Sequence, residues 1–272
     1  MEPDSHDAYP PSEIAHRVER AGVAKAHTDT ITLSALAILA GAFISLGALF
    51  FTVTITGATP GFGLARLAGG LAFCLGLVLV VVAGAELFTG NNLIAMAWAS
   101  RLVGTREVVR NWVLAYAGNV AGCLATVALV IGCNTAALGG GAVGETAIAI
   151  AKAKAELPAA EGFFRGVLCN ALVCLAVWLT IGARSVTDKI LAIVFPIAAF
   201  VTVGFEHSIA NWFFLPYGLA LAPPGTIPLA GVATNLAAVT AGNIVGGTVL
   251  VASVYWVAYL RGERVRGEAT RR

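Results

Sequence analysis

Charge is what this sequence has least of. Only 12% of its 272 residues are Asp, Glu, Lys or Arg, while 58% are hydrophobic; a soluble domain carries roughly 25% charged residues. No charged residue occurs in residues 31–65, 111–144, 166–183 or 207–260. Runs of this length match the ~17–25 apolar residues that cross hydrocarbon, so several are expected to be spans, and some to hold more than one. Net charge is +2, with no basic stripe interleaved with aromatics, so nucleic acid is not expected as a partner. The five cysteines (Cys74, Cys123, Cys133, Cys169, Cys174) form no C-x-x-C pair and the four histidines have no ligand spacing, so no metal or cofactor is expected. No apolar stretch precedes Ile31, which leaves membrane insertion to the first span rather than to a cleavable signal. Gly139-Gly140-Gly141 lacks the strand and helix context of a phosphate loop and reads as a flexible connection.

Six apolar segments are present. Residues 1–28 read as a polar N-terminal segment in which Ser12 caps a helix with Ile14, Val18 and Val23 at helical spacing, lying on the membrane surface. Residues 29–260 hold the spans, and 261–272 form a basic tail. The first span is expected over 30–55, ending in the turn-rich stretch 56–61; the third within 108–131, the fourth over 163–181 and the sixth over 231–260. The second starts near Leu67 and is interrupted at Glu86; the fifth starts near Lys189 and is interrupted at 204–211. Residues 132–162 read as a glycine- and alanine-rich connection. Of the Lys and Arg residues, thirteen fall on the side of the termini and four on the other, which predicts cytoplasmic termini in a bacterial inner membrane.

The two interruptions repeat each other. Gly84-x-Glu86-x-x-x-x-Asn91 returns as Gly204-x-Glu206-x-x-x-x-Asn211 about 120 residues later. Ala117-Gly118-Asn119-Val120-x-Gly122 in the third span likewise returns as Ala241-Gly242-Asn243-Ile244-x-Gly246 in the sixth. Two matches in the same order predict a duplicated three-span unit, the second copy inverted. Backbone that leaves the helix at membrane depth must be buried in protein or line a polar cavity, so the two breaks predict a substrate path between the halves. Half-helix N-termini there favour an anion.

Four stretches carry a family likeness: Glu86-Leu87-Phe88-Thr89-Gly90, residues 168–178 around Asn170, Gly204-Phe205-Glu206-His207-Ser208-Ile209-Ala210-Asn211, and Gly242-Asn243-Ile244-Val245-Gly246-Gly247. With them the chain resembles, over nearly its whole length, the formate/nitrite transporter family. The resemblance implies an all-α integral membrane protein of six helices, aquaporin-like, in an inverted 3+3 repeat with broken second and fifth helices. It implies a homopentamer with one pore per protomer, conducting formate, nitrite, lactate or acetate, or hydrosulfide, with or without a proton. It makes His207 the pore histidine, with Thr89 opposite, Asn170 and Lys154 adjacent and Asn243 the polar residue of the sixth span. It places Leu77, Leu87, Phe88 and Val173 at constrictions, and Phe73 and Phe200 at the outer one; formate is the expected substrate.

By the residues alone, His207 is the one histidine inside a span, where an ionisable group is costly without a partner or a task. Imidazole exchanges protons near neutral pH, and a neutral acid passes an apolar constriction far more cheaply than its anion. The expected sequence is attraction of the anion by Lys154, then donation of a proton or a hydrogen bond by His207, oriented by Thr89 and Asn170, before passage of Leu87 and Phe88. Glu86 and Glu206 are expected to accept from backbone N–H groups freed by the breaks, with Asn91, Asn211 and Asn119 bonding between helices. A neutral-solute channel is disfavoured because neither break carries Asn-Pro-Ala; a proton-coupled symporter stays open; an intramembrane enzyme lacks a nucleophile or metal cluster.

Overall fold

The computed structural model describes residues 7–58 and 61–262; part of the turn at 56–61 and most of the basic tail lie outside them. Helix α1 (Pro11–Ala26) begins on Pro10, with Pro11 in its first turn, so Ser12 lies inside the helix rather than capping it. Asp29 caps α2 (Thr30–Ile55): its carboxylate accepts from the N–H groups of Ile31 and Thr32 at 3.0 Å. The Thr32 N–H, foremost among these contacts, holds the acid below its ordinary pKa.

Helix α3 (Phe62–Gly84) winds as a π-helix over Leu79–Gly84 and stops where Gly84 takes φ +86°, a conformation that a side chain resists. After three residues outside any helix, α4 follows as short abutting pieces, Phe88–Asn91, Asn92–Ile94 and Ala95–Ala99. Helix α5 (Thr105–Gly132) follows. The stretch expected to be a connection contains a helix of 14 residues, α6 (Ala142–Ala155), after a turn whose Gly139, Gly140 and Gly141 all have positive φ. Lys154 therefore sits on a helix and not in a loop. Helices α7 (Ala159–Gly182), α8 (Val186–Thr202), α9 (Ser208–Leu221) and α10 (Leu229–Leu260) complete the chain. Helix α8, like α3, leads into a positive-φ glycine, Gly204 at +79°.

Among the described residues, α2, α3, α5, α7 and α10 are each long and apolar enough to cross a membrane. Helices α8 and α9, with 17 and 14 residues, are shorter and flank the second break. Large apolar side chains face outward around the bundle, among them Ile31 (83% exposed), Phe62 (81%) and Phe195 (77%). So wide an exposed apolar surface suits lipid rather than water.

Helix α1 packs onto the bundle. Its Ile14 and Val18 are buried in a cluster with Leu93, Met96, Trp178 and Leu260, which also brings the end of α10 beside α1. Close crossings hold the long helices together. A Cβ on Gly122 of α5 would overlap the carbonyl oxygen of Ile38 in α2, and one on Gly246 of α10 would overlap that of Val167 in α7. These are the last glycines of the two repeated motifs, so the repeat encodes one helix crossing twice.

Candidate functional site

Each break is closed by the same hydrogen bonds. After α3, the N–H of Phe88 donates to Asn119 Oδ1 (2.9 Å), while Asn119 Nδ2 donates to the carbonyls of Ala37 (2.8 Å) and Glu86 (2.9 Å). After α8, the N–H of Ser208 donates to Asn243 Oδ1 (2.8 Å), while Asn243 Nδ2 donates to the carbonyls of Gly166 (2.8 Å) and Glu206 (3.0 Å). The N–H groups of Glu86 and Glu206 reach the carbonyls of Leu36 and Arg165. The freed backbone groups are thus satisfied by asparagines and by the first long helix of each half, α2 and α7, as burial demands.

The carboxylates of Glu86 and Glu206 do something else, contrary to their expected role of accepting from the freed N–H groups. Glu206 takes both oxygens to Lys154 Nζ at 2.9 Å and accepts from Asn211 Nδ2 at 2.7 Å. Asn211 Nδ2 also donates to Asn235 Oδ1 (2.7 Å), and Asn235 Nδ2 to the Lys154 carbonyl (2.9 Å). In the first half Lys25 Nζ donates to Glu86, Asn91 Nδ2 to Glu86 (2.8 Å) and Asn111 Oδ1 (2.9 Å), and Asn111 Nδ2 to the Lys25 carbonyl (2.9 Å). The physical reason is charge: a buried carboxylate gains more from an ammonium and an amide than from neutral N–H groups alone. The duplicated unit therefore includes α1 and α6 as well as the long helices.

The two breaks meet at His207 and Thr89, whose Nε2 and Oγ1 lie 3.1 Å apart. Both residues are buried. His207 caps α9: its Nδ1 accepts the N–H of Ala210 at 3.1 Å. A neutral imidazole so held carries its proton on Nε2, which makes Nε2–H the donor toward Thr89. Asn170 acts on Thr89 rather than on the imidazole. Its Nδ2 reaches the Thr89 carbonyl (3.3 Å), Asn92 Oδ1 (2.8 Å) and the Asn243 carbonyl (2.7 Å), and Cys174 Sγ donates to the same Thr89 carbonyl.

A cavity of about 240 Å³ opens onto His207, with Phe73, Phe200, Lys154 and Glu206 among its walls; Thr89 lies behind the imidazole and is not one of them. The rings of Phe73 and Phe200 meet edge to face at 5.7 Å, and Phe200 stacks on His207 at 6.1 Å. Leu77, Leu87, Phe88 and Val173 are buried in the same apolar cluster as this pair. The Phe88 ring packs edge-on against Tyr116 (5.0 Å) and Trp112 (6.4 Å) of α5.

The family description "Formate/nitrite transporter" matches residues 12–257. The chain belongs to the formate/nitrite transporter family. It is 40% identical over 269 residues to the formate channel FocA of Escherichia coli (strain K12), covering 92% of this chain and 94% of that protein. It is 39% identical over 271 residues to a probable formate transporter of Methanothermobacter thermautotrophicus, with the same two coverages, 92% and 94%. Among solved structures, one described as a pentameric formate channel with formate bound aligns with TM-score 0.78 at 38% identity, covering 85% of this chain and 98% of that one. An FNT family ion channel aligns with TM-score 0.84 at 28% identity over 90% and 98%.

Membership of a transporter family, and not the lack of any cluster, is what sets the intramembrane enzyme aside. For this formate/nitrite transporter, sequence reasoning passed over Lys25, Asn111 and Asn235. The signal was available: extending the repeat toward the N-terminus aligns Lys25 with Lys154.

Proposed function

We propose that this protein is a channel for small monovalent anions, formate foremost, with nitrite and hydrosulfide as lesser alternatives. The proposed working unit is a homopentamer with a pore in each protomer, spanning a bacterial inner membrane by six crossings in an inverted 3+3 repeat. The thirteen-to-four excess of basic residues supports cytoplasmic termini, and with them an α1 on the inner side and the His207 cavity opening outward. The names of the relatives support formate; the joining of two oppositely derived breaks at one buried histidine supports a path there.

One contact carries the reading: His207 Nε2 to Thr89 Oγ1. An anion coming through the cavity passes Phe73 and Phe200 to the imidazole, whose Nε2–H points on toward Thr89. The Thr89 hydroxyl can rotate away as the anion takes its place as acceptor. Donation of a hydrogen bond needs no other change, whereas proton donation requires an imidazolium, and a proton on Nδ1 would break the Ala210 cap. Hydrogen-bond donation by neutral His207 is therefore the favoured step. Leu77, Leu87 and Val173 then form the apolar passage, with Phe88 braced behind it by Tyr116 and Trp112. Lys154, neutralised by Glu206, holds the second break in shape beside this path.

The test is a flux panel in liposomes of inner-membrane lipid with purified protein, comparing formate, nitrite, hydrosulfide and glycerol. Formate flux well above an empty-liposome control, with glycerol at that control, is the expected result. Glycerol flux without anion flux contradicts it.

A further inference from the structure

The cavity above His207 holds more positive charge than the path just described uses. Arg66, Lys154 and Arg165 line it against a single carboxylate, Glu206. Lys154 is committed, since both of its contacts to Glu206 are 2.9 Å and the pair is largely buried, at 16% and 8% exposure. An anion approaching this pair meets a dipole and not a free charge. Arg165 is only lightly engaged. Its partner, Glu161, sits one turn away at 2.9 Å with both side chains about half exposed, and such surface pairs are worth little.

Arg66 is the cation of the cavity for which no ion pair is formed among the described residues. Its Nε donates to the Thr202 carbonyl at 2.6 Å and its Nη2 to the Val201 carbonyl at 2.7 Å, the last carbonyls of α8. The same Nη2 would lie 3.3 Å from a Cβ on Gly204, so the guanidinium rests directly over the glycine turn that leads to His207. Two of the five guanidinium N–H groups are used by those carbonyls, which leaves three. A guanidinium fixed in this way is a preorganised fork for a planar anion with two oxygens.

We propose that Arg66, together with Arg165, forms a receiving subsite for a small carboxylate or similarly shaped oxyanion at the mouth of the cavity, before His207. The proposal rests on the anion-channel reading and adds which side chains recruit the anion, moving that task from Lys154 to the two arginines. Holding Arg66 by the end of α8 couples the subsite to the break, so the anion is delivered where the backbone turns toward the imidazole.

The experiment is initial formate flux against formate concentration in liposomes containing the full chain, for wild type, Arg66→Gln, Arg66→Lys and Arg165→Leu. The half-saturating concentration is expected to rise about tenfold in Arg66→Gln and about threefold in Arg165→Leu, with Arg66→Lys between wild type and Arg66→Gln. Maximal flux per protein should fall much less. An unchanged half-saturating concentration in Arg165→Leu and Arg66→Lys, with losses confined to maximal flux or protein yield, overturns the subsite and leaves Arg66 as a cap for α8. Wild type that carries no formate brings down the channel reading itself, a result distinguishable because every variant then matches empty liposomes.

Discussion

At the scale of single residues, the buried lysine and glutamate pairs determine which substitutions the protein tolerates. Removing the ammonium in Lys154→Met strands the Glu206 carboxylate, which is only 8% exposed. The expected cost is about 3–5 kcal/mol, read as a lowered unfolding temperature in detergent. The double variant Lys154→Met/Glu206→Gln should recover most of that loss, because no unpaired charge remains. Lys25→Met should behave alike but more mildly, since Lys25 and Glu86 are 33% and 12% exposed and water can reach them. Thr89→Val tests a different link. It keeps the shape of the side chain but takes away the acceptor of His207 Nε2–H, which should cost about 1–3 kcal/mol and reduce formate flux. Flux equal to wild type in Thr89→Val would mean that the hydroxyl does not position the imidazole.

At the scale of elements, the breaks and crossings repeat, and their glycines are the points of least tolerance. Gly122→Ala and Gly246→Ala each force a Cβ against a carbonyl oxygen of the neighbouring helix, so each should destabilise by about 1–3 kcal/mol. Equal stability of either variant with wild type, measured by thermal unfolding, would show that the helices part without cost. The long helices and both breaks were legible in the sequence, because hydrophobic runs and the G-x-E motifs are local signals. Helix α6 was not: its alanine-rich sequence with Lys152 and Lys154 has no long apolar run, and its place is set by packing against α9, where Gly218 admits Ala151. The seating of α1 was missed for the same reason. Its apolar face reads as amphipathic whether lipid or Trp178 covers it, and only the fold decides. The constriction residues came from resemblance, since Phe73 and Leu77 are indistinguishable from ordinary core by periodicity.

At the scale of the whole molecule, two copies of one unit are joined at a point, each contributing one side of the contact: Thr89 from the first break and His207 from the second. The shared pattern extends from Lys25 and Lys154 to Asn119 and Asn243, so the symmetric parts supply the scaffold. The asymmetric parts supply the site. At the position where the second half has His207 the first has Leu87, and where the first has Thr89 the second has Ile209. A five-subunit assembly is expected in solution, and native mass spectrometry in detergent should give about five times the 27.8 kDa of one chain. A monomer that still conducts would separate the pore from the assembly.

The proposed passage of anions is by way of the His207 contact. Its most direct measurement is formate flux in liposomes carrying equal amounts of wild type and His207→Ala, with assembly and unfolding temperature checked in parallel. A loss of about tenfold or more in a variant that remains folded is the predicted result, as expected when a buried hydrogen-bond donor to an anion is removed. Undiminished formate flux in a folded His207→Ala protein would place the path elsewhere.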